Sequence, residues 1–161
     1  MAYDAFLKIE GVEGESTRDQ HEGEIEILSF SWGVSNPTTI GSGSGAGAGR
    51  ASLTSFNVMK KSDKASPKLF QHCAQGRHFD KATVVFRAAA GDNSLEYLKY
   101  EFEEVFVESV QWSGSSGGDD RPTESLSLAF GKVEVTYTPQ TATGDPGAPV
   151  VASWDQRSRR A

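Results

Sequence analysis

The chain of 161 residues has very little cysteine and no long apolar segment. Cys73 is its only thiol, so no disulfide can form within the chain, which is typical of proteins that fold in a reducing compartment. A chain of this size buries roughly 69% of its surface on folding and needs no covalent cross-links. No segment approaches the ~18 consecutive apolar residues of a membrane span, which argues against membrane insertion.

Positive charge is also scarce. The chain has 16 Lys and Arg residues against 22 Asp and Glu residues, a net charge of -6 and a pI near 5.1. A nucleic-acid backbone would be repelled by this charge, and the only basic cluster is the small terminal group of Arg157, Arg159 and Arg160. We therefore expect no nucleic-acid partner.

The start of the chain lacks the features of a secretory leader. Met1 to Asp4 run directly into a strand pattern, without the basic region and apolar region of a signal peptide. We expect a protein that is made in the cytoplasm without a cleaved leader, so that export would need a dedicated route.

Strand patterns dominate the rest of the sequence. Seven stretches alternate between apolar and polar residues and are separated by clusters of Gly, Ser, Asn and Asp. The alternation changes phase near Leu28, between Phe102 and Val105, and at Gly131, which indicates strands that bend. Because bent strands turn the corners of closed sheets, the sequence predicts a mainly β fold, a compact antiparallel barrel or sandwich of two sheets.

One segment departs from the strand pattern and predicts a single short helix over about residues 66–75. Ser66 is the expected N-cap, Pro67 suits the first helical position, where its missing N–H is harmless, and Gly76 suits a left-handed C-terminal cap.

The inward phase of the strands and one helix face give the predicted core. Its members are Phe30, Trp32, Phe86, Leu126, Leu128 and Phe130 in the strands, with Leu69 and Phe70 anchoring the helix. The opposite phase of the second strand carries the small residues Ser29, Ser31 and Gly33. These three should form a smooth polar surface.

Three stretches lack strand periodicity, namely residues 41–49, 113–122 and 139–149. The first is a flexible loop of small residues: Gly41, Ser42, Gly43, Ser44, Gly45, Ala46, Gly47, Ala48 and Gly49. The third, rich in Pro and Gly, separates a predicted barrel domain of residues 1–138 from a linker and tail of residues 139–161.

The glycine run contains a permissive dinucleotide fingerprint at Gly41, Gly43 and Ala46. That motif requires a helix whose N-terminus binds the pyrophosphate, but here the run leads into the strand pattern of residues 52–59. We therefore expect no nucleotide and no other cofactor.

Metal ligands are few. A site would have to combine Cys73 with His72 or His78, and adjacent helical side chains diverge by ~100°. A cysteine on the apolar helix face is expected to act as a small buried hydrophobe. No metal site is predicted.

Catalytic residues are not evident either. The carboxylates of Glu101, Glu103, Glu104 and Glu108 could be paired as in a glycosidase, but strand alternation places them on different faces, and a solvated sheet face is the simpler interpretation. No serine lies in a nucleophile elbow. The sequence predicts no enzyme, and a small hydrolase built on these glutamates is the weaker alternative.

Five stretches carry a resemblance to a known family: AFLKIEGVEGES (5–16), EILSFSWGVSN (26–36), DKASPKLFQHCAQGRHF (63–79), LEYLKYEFEEVFVESV (95–110) and PTESLSLAFGKVEVTYTPQ (122–140). They resemble the haemolysin-coregulated protein (Hcp) family, the tube protein of bacterial type VI secretion. The resemblance implies a β-barrel of two sheets with one helix at its side, assembled into homohexameric rings that stack as a hollow tube inside a contractile sheath.

The resemblance also implies partners and positions. The partners are other copies of the chain, sheath and spike-tip proteins, and small effectors carried in the lumen; the tube leaves the bacterium when the sheath contracts. Residues 41–49 correspond to the family's extended loop, which reaches neighbouring subunits or the next ring. Ser29, Ser31 and Gly33 correspond to a lumen-facing strand, although an ordinary solvent-facing row fits the same pattern.

The residues leave one further interpretation open. A monomeric β-sandwich could bind carbohydrate by stacking sugar rings on Trp32, Trp112 or Trp154. A ring and a monomer differ in mass, so light scattering separates the two interpretations.

Overall fold

The structure is a computed structural model that describes residues 3–39, 47–88, 95–118 and 120–161. Its strands and its helix follow one another in this order: β1 (Tyr3–Ile9), β2 (Ile25–Glu26), β3 (Ser29–Ser31), β4 (Val34–Ser35), β5 (Thr38–Thr39), β6 (Gly47–Ala48), β7 (Ser52–Leu53), β8 (Phe56–Lys61), α1 (Ser66–Gln75), β9 (His78–Ala88), β10 (Glu96–Ser113), β11 (Thr123–Tyr137) and β12 (Val150–Asp155). The predicted mainly β, antiparallel fold with one short helix is confirmed.

The main sheet curls because one short segment joins its two ends. The strand order is β2-β1-β9-β10-β11-β8-β3, with β12 paired to β11. Residues 25–31 supply both β2 and β3, and at the break between them Ile27 N donates to Ala5 O (3.0 Å) while Leu28 N donates to Met59 O (2.8 Å). The phase change near Leu28 is therefore where the chain crosses from β1 to β8.

The other two phase changes lie opposite each other. In β10 the buried positions are even-numbered up to Phe102 and odd-numbered from Val105 to Val107. Glu104, whose φ is 54°, lies at this change and bends the strand. The register of β10 and β11 brings Gly131 opposite this position. Both strands therefore bend at the same level.

The core is built from the inward residues of the long strands. Leu69, Phe86, Leu126 and Leu128 are at most 1% exposed, and Phe130 is 6% exposed. Phe30 and Trp32 are half-buried and pack against this core, where the Trp32 ring lies edge-on to Tyr100, Phe102 and Phe130 at 5.1, 5.9 and 5.9 Å.

The assignment of Phe70 to the core is wrong. Its side chain is 56% exposed and rests on Trp112, with a ring separation of 6.1 Å. Neighbouring helical side chains point ~100° apart, so Leu69 takes the inward direction and Phe70 points outward.

The helix has the predicted span, and Gly76 closes it with φ 65°, its N–H donating to Cys73 O (3.3 Å). Ser66 is not the N-cap: that position belongs to Ala65, and Ser66 is the first helical residue and is buried. This ten-residue helix falls well short of a membrane span, as does every helical segment in the described ranges.

A buried ionic cluster ties the start of α1 to the sheet. Lys60 of β8 and Glu124 of β11 are 0% exposed, and Lys60 Nζ lies 3.1 Å from Glu124 Oε1 and 2.9 Å from Asp63 Oδ1. Ser66 donates a hydrogen bond to Glu124 Oε2. Burial raises the pKa of Glu124, but the Ser66 hydrogen bond and the Lys60 ammonium outweigh it, so this pKa is lowered overall.

A buried histidine fixes the long β1–β2 connection. His21 is 4% exposed and stacks on Phe6 at 4.3 Å. Its Nδ1 lies 3.0 Å from Glu24 Oε2, and its Nε2 lies 2.8 Å from Glu96 Oε1 at the start of β10. The connection is thereby attached to the barrel wall.

The end of the chain belongs to the sheet. β12 pairs with residues 132–137 of β11, and Trp154 lies opposite Val133. The boundary drawn at residue 138 therefore falls inside a β-hairpin, because the proline- and glycine-rich stretch is the connection between β11 and β12 and does not end the barrel.

Candidate functional site

A two-stranded ribbon, which we call the arm, extends from the β3–β8 hairpin and consists of residues 34–39 and 47–53. Val34 pairs with Leu53 and Ser35 with Ser52, and farther out β5 pairs with β6. At its base, Gly33 N donates to Thr54 Oγ1 (2.8 Å) and Thr54 N donates to Gly33 O (2.9 Å). The arm is thus a direct continuation of the barrel wall.

The predicted loop of residues 41–49 is described only in part. Residues 41–46 lie outside the described residues, and Gly47 and Ala48 form β6. A Cβ at Gly49 would overlap the carbonyl oxygen of Pro37 and lie 2.9 Å from its Cγ. Glycine is required at position 49 because the two sides of the arm pass so close together there.

The first side of the arm is exposed over residues 34–38, while Ala51 and Leu53 on the returning side are half-buried. Val34 is 65% exposed, and Ser35 to Thr38 are exposed as well. A lone two-stranded ribbon is marginally stable in water, and an exposed valine contributes no hydrophobic stabilisation because its side chain remains in water. The arm is therefore suited to lie against another surface.

An apolar groove of about 310 Å³ separates the base of the arm from the last strands. Trp32, Val34 and Leu53 line one side, and Val135 and Trp154 line the other. An apolar groove lined by two tryptophans has the character of a protein–protein contact surface.

β12 is paired on one side in the described chain, through β11. Val150 is 66% exposed, Val151 is 53% exposed, and residues 150–154 carry no charge. Natural sheets protect their free edges with charges, prolines or a cover, so an uncharged apolar edge indicates a surface that becomes covered.

The outer face of four adjacent strands forms a polar wall. In register it carries two rows of mostly small residues, Ser31, Asn57, Ser127 and Ser109, and then Ser29, Met59, Ser125 and Gln111. Ser29 and Ser31 are exposed, and half-buried Gly33 continues the row toward the arm. The structure thus places the three predicted lumen residues on a broad face with few side chains that protrude.

The residues considered for chemistry are placed elsewhere. In the described ranges no group of three or more His, Cys, Asp or Glu residues is arranged to hold a metal ion. Cys73 is half-buried against the core, and His72 stacks on Phe79 at 4.1 Å. Their surroundings are those of packing residues.

Each of the four β10 glutamates considered for catalysis has a partner. Glu101 lies 3.4 Å from Lys81, and Glu108 accepts from Ser55 at 2.9 Å. Glu103 and Glu104 share one partner, since Arg157 Nη2 lies 3.9 Å from Glu103 Oε2 and Arg157 Nη1 donates to Glu104 Oε2 at 2.8 Å. These carboxylates therefore take part in surface ion pairs and hydrogen bonds.

The three tryptophans differ in exposure. Trp32 and Trp154 are half-buried against the core, while Trp112 is 46% exposed and tilted by 58° against Phe70. Packing thus occupies much of the Trp32 and Trp154 rings, which stacking of a sugar would need open.

Sequence reasoning missed Lys60, Glu124 and Arg157. The first two share the inward phase of Val58 and Leu126, and a charge on the inward phase of two predicted neighbouring strands is a signal for a buried pair. Arg157 had no such signal, because its partner Glu104 lies 53 residues away.

Comparisons with known proteins agree with this geometry. Residues 6–137 match the family described as type VI secretion system effector, Hcp. The chain is 42% identical over 158 residues to "Protein hcp1" of Pseudomonas aeruginosa, with 98% of this chain and 97% of the relative covered.

Solved structures are similar over nearly the whole chain. A structure described as a type six secretion system protein has a TM-score of 0.92 at 36% identity. The crystal structure of Hcp1 from Salmonella typhimurium has a TM-score of 0.82 at 39% identity. Each comparison covers 99% of both chains.

Proposed function

This chain belongs to the Hcp family of type VI secretion proteins, and from that premise we propose that six copies close into a ring and that rings stack into the hollow inner tube. A contact between two different surfaces of the subunit closes after a fixed number of copies, and a second such contact, top against bottom, extends the tube. The family membership establishes a tube component; the number of copies and the stacking are our proposal.

The arm is the observation that carries this proposal. It is exposed and marginal on its own, and it begins beside an apolar groove and an uncharged free edge. A second copy supplies what all three features need, namely an apolar cover and a surface for the ribbon to lie against. Each contact should bury more than about 1,000 Å² if rings persist in solution.

Electron microscopy of the purified chain tests the proposal. We expect class averages with six-fold annuli at micromolar protein concentrations. Compact particles without a central hole at every concentration would contradict it.

The polar wall is the surface that we assign to the lumen. Its side chains are hydroxyls and amides with one methionine among them. They offer hydrogen bonds to a protein in the lumen but little apolar contact area. This composition fits the transport of small effector proteins within the tube. Sheath and spike-tip proteins would be the outer partners, and the type VI system would carry the tube out of the bacterium.

Replacing Ser31 with Trp tests the lumen assignment. The indole would protrude from an exposed position beside Asn57, so rings should still form while retention of a small effector inside them falls about ten-fold, equivalent to about 1.4 kcal/mol. Gln71→Trp on the exposed face of α1 is the matched control. The assignment fails if the amount of effector that co-elutes with rings is the same for both variants.

A further inference from the structure

The residues that follow β12 turn back onto the bend of the barrel wall. Gln156 N donates to Gly131 O (2.8 Å), and Gln156 Nε2 donates to Phe130 O (2.7 Å). Arg157 Nη1 donates to Glu104 Oε2 (2.8 Å). This turn therefore contacts both bent strands at the level where they bend. We call Asp155, Gln156 and Arg157 the C-terminal latch.

Asp155 makes the latch rigid. Its carboxylate accepts from Arg157 N (2.8 Å) and forms two further bonds with the guanidinium, Arg157 Nε to Oδ1 and Arg157 Nη2 to Oδ2, both at 3.1 Å. The hydrogen bond from Arg157 lowers the pKa of Asp155 to about 2, and those from Asp155 and Glu104 raise the pKa of Arg157. The pair stays ionised over the physiological range.

The bend itself is strained. Glu104 has φ 54°, a left-handed conformation that costs energy for any residue with a Cβ. Opposite it, a Cβ on Gly131 would lie 3.0 Å from Glu104 Oε2 and 3.1 Å from Arg157 Cδ, so a side chain at position 131 would press on the two side chains that form this contact. A strained backbone persists where its surroundings hold it in place. The bond from Arg157 to the Glu104 carboxylate is such a restraint.

We propose that the C-terminal latch fixes the bend of β10 and β11 and so sets the wall geometry with which one copy meets the next. The inference rests on the proposed ring. Residues at the end of the sequence would then decide how well rings close, although they line neither the arm nor the lumen wall. Arg157 is the positioning residue, because its bond to Glu104 connects the latch to the bend of β10.

The test compares Arg157→Ala with Arg160→Ala in the full chain. Both remove one positive charge from the same terminus, and the Arg160 side chain takes no part in the latch contacts described above. For Arg157→Ala we expect backbone amides at residues 104–106 and 129–132 to exchange hydrogen about ten-fold faster, because the local opening is no longer restrained. The protein concentration at which half the rings dissociate should also rise about ten-fold, equivalent to about 1.4 kcal/mol. Arg160→Ala should match the unsubstituted chain in both measurements.

A comparison of Glu104→Gly with Glu104→Ala separates a restraint on backbone strain from a general loss of contacts, because both variants remove the carboxylate that accepts from Arg157. Glycine adopts φ 54° without the steric cost, so its bend no longer needs the latch, whereas alanine keeps that cost. Amides at the bend should therefore exchange about ten-fold faster in Glu104→Ala, as in Arg157→Ala, while Glu104→Gly should stay within about two-fold of the unsubstituted chain.

Two results would overturn the proposal. One is an Arg157→Ala variant whose amides at the bend exchange as slowly as those of Arg160→Ala. The other is equal exchange of the amides at the bend in Glu104→Ala and Glu104→Gly. If the unsubstituted chain formed no rings, the proposed function would fail, while the exchange rates at the bend would still report on the latch.

Discussion

Replacing Lys60 with Met is expected to lower the free energy of unfolding by about 3–5 kcal/mol, the largest loss of stability that we predict for one substitution. Methionine keeps the volume of the side chain but removes the ammonium, which leaves the carboxylate of Glu124 buried without its cation. The loss is to be measured by urea unfolding at neutral pH.

A double substitution gives the matched control. Lys60→Met combined with Glu124→Leu removes both charges, and an apolar pair of similar volume often replaces a buried ion pair at little cost. We expect the double variant to recover most of the lost stability. A double variant as unstable as Lys60→Met alone would mean that the volume or the Ser66 contact matters, and not the unpaired charge.

The same cluster predicts a dependence on pH. The pKa of Glu124 is lowered in the folded protein from an ordinary value of 4.5, so its charged state contributes stability above that value and loses the contribution as the pH falls through the lowered pKa. The difference in unfolding free energy between the unsubstituted chain and Lys60→Met should therefore shrink between pH 7 and pH 3. A constant difference over this range would show that Glu124 is not its source.

Replacing Val34 with Glu is expected to abolish ring formation at micromolar concentrations while the protomer stays folded. Val34 is 65% exposed in the protomer, so the substitution costs little there, but in the ring it would carry an unpaired charge into the apolar groove beside Trp32. A penalty of about 3 kcal/mol raises the dissociation midpoint roughly 100-fold. Sedimentation velocity measures this shift.

Gln71→Glu serves as the control for that experiment. It makes the same change in charge at an exposed position of α1, away from the arm and the groove. Rings should be as stable as in the unsubstituted chain. Equal loss of rings in both variants would point to net charge as the cause, and normal rings with Val34→Glu would remove the arm from the interface.

The long strands and the helix could be predicted because their signals are local. Period-2 alternation is visible in β9 and on either side of the bends in β10 and β11, and Pro67 and Gly76 mark the helix ends. Even the bend at Gly131 was visible as a change of phase. Phe70 was misplaced because an apolar residue next to the inward Leu69 was assumed to share its direction.

The arm, β12 and the latch could not be predicted in the same way. The described arm residues, 34–39 and 47–53, are mostly small or polar. Their strands pair because the β3–β8 hairpin brings them together, which no local pattern encodes. Residues 150–155 form β12 because β11 has a free edge there, which only the folded sheet determines. Arg157 pairs with Glu104 because the bend brings together two residues that are far apart in sequence.

The mass of the assembled protein tests the central claim, that the arm and its groove exist to join copies of this chain into a closed ring. Native mass spectrometry of the unsubstituted protein should give a dominant species of six times 17.3 kDa, about 104 kDa, with no ladder of intermediate sizes. A single species of 17.3 kDa at every concentration, with the arm intact, would contradict the account.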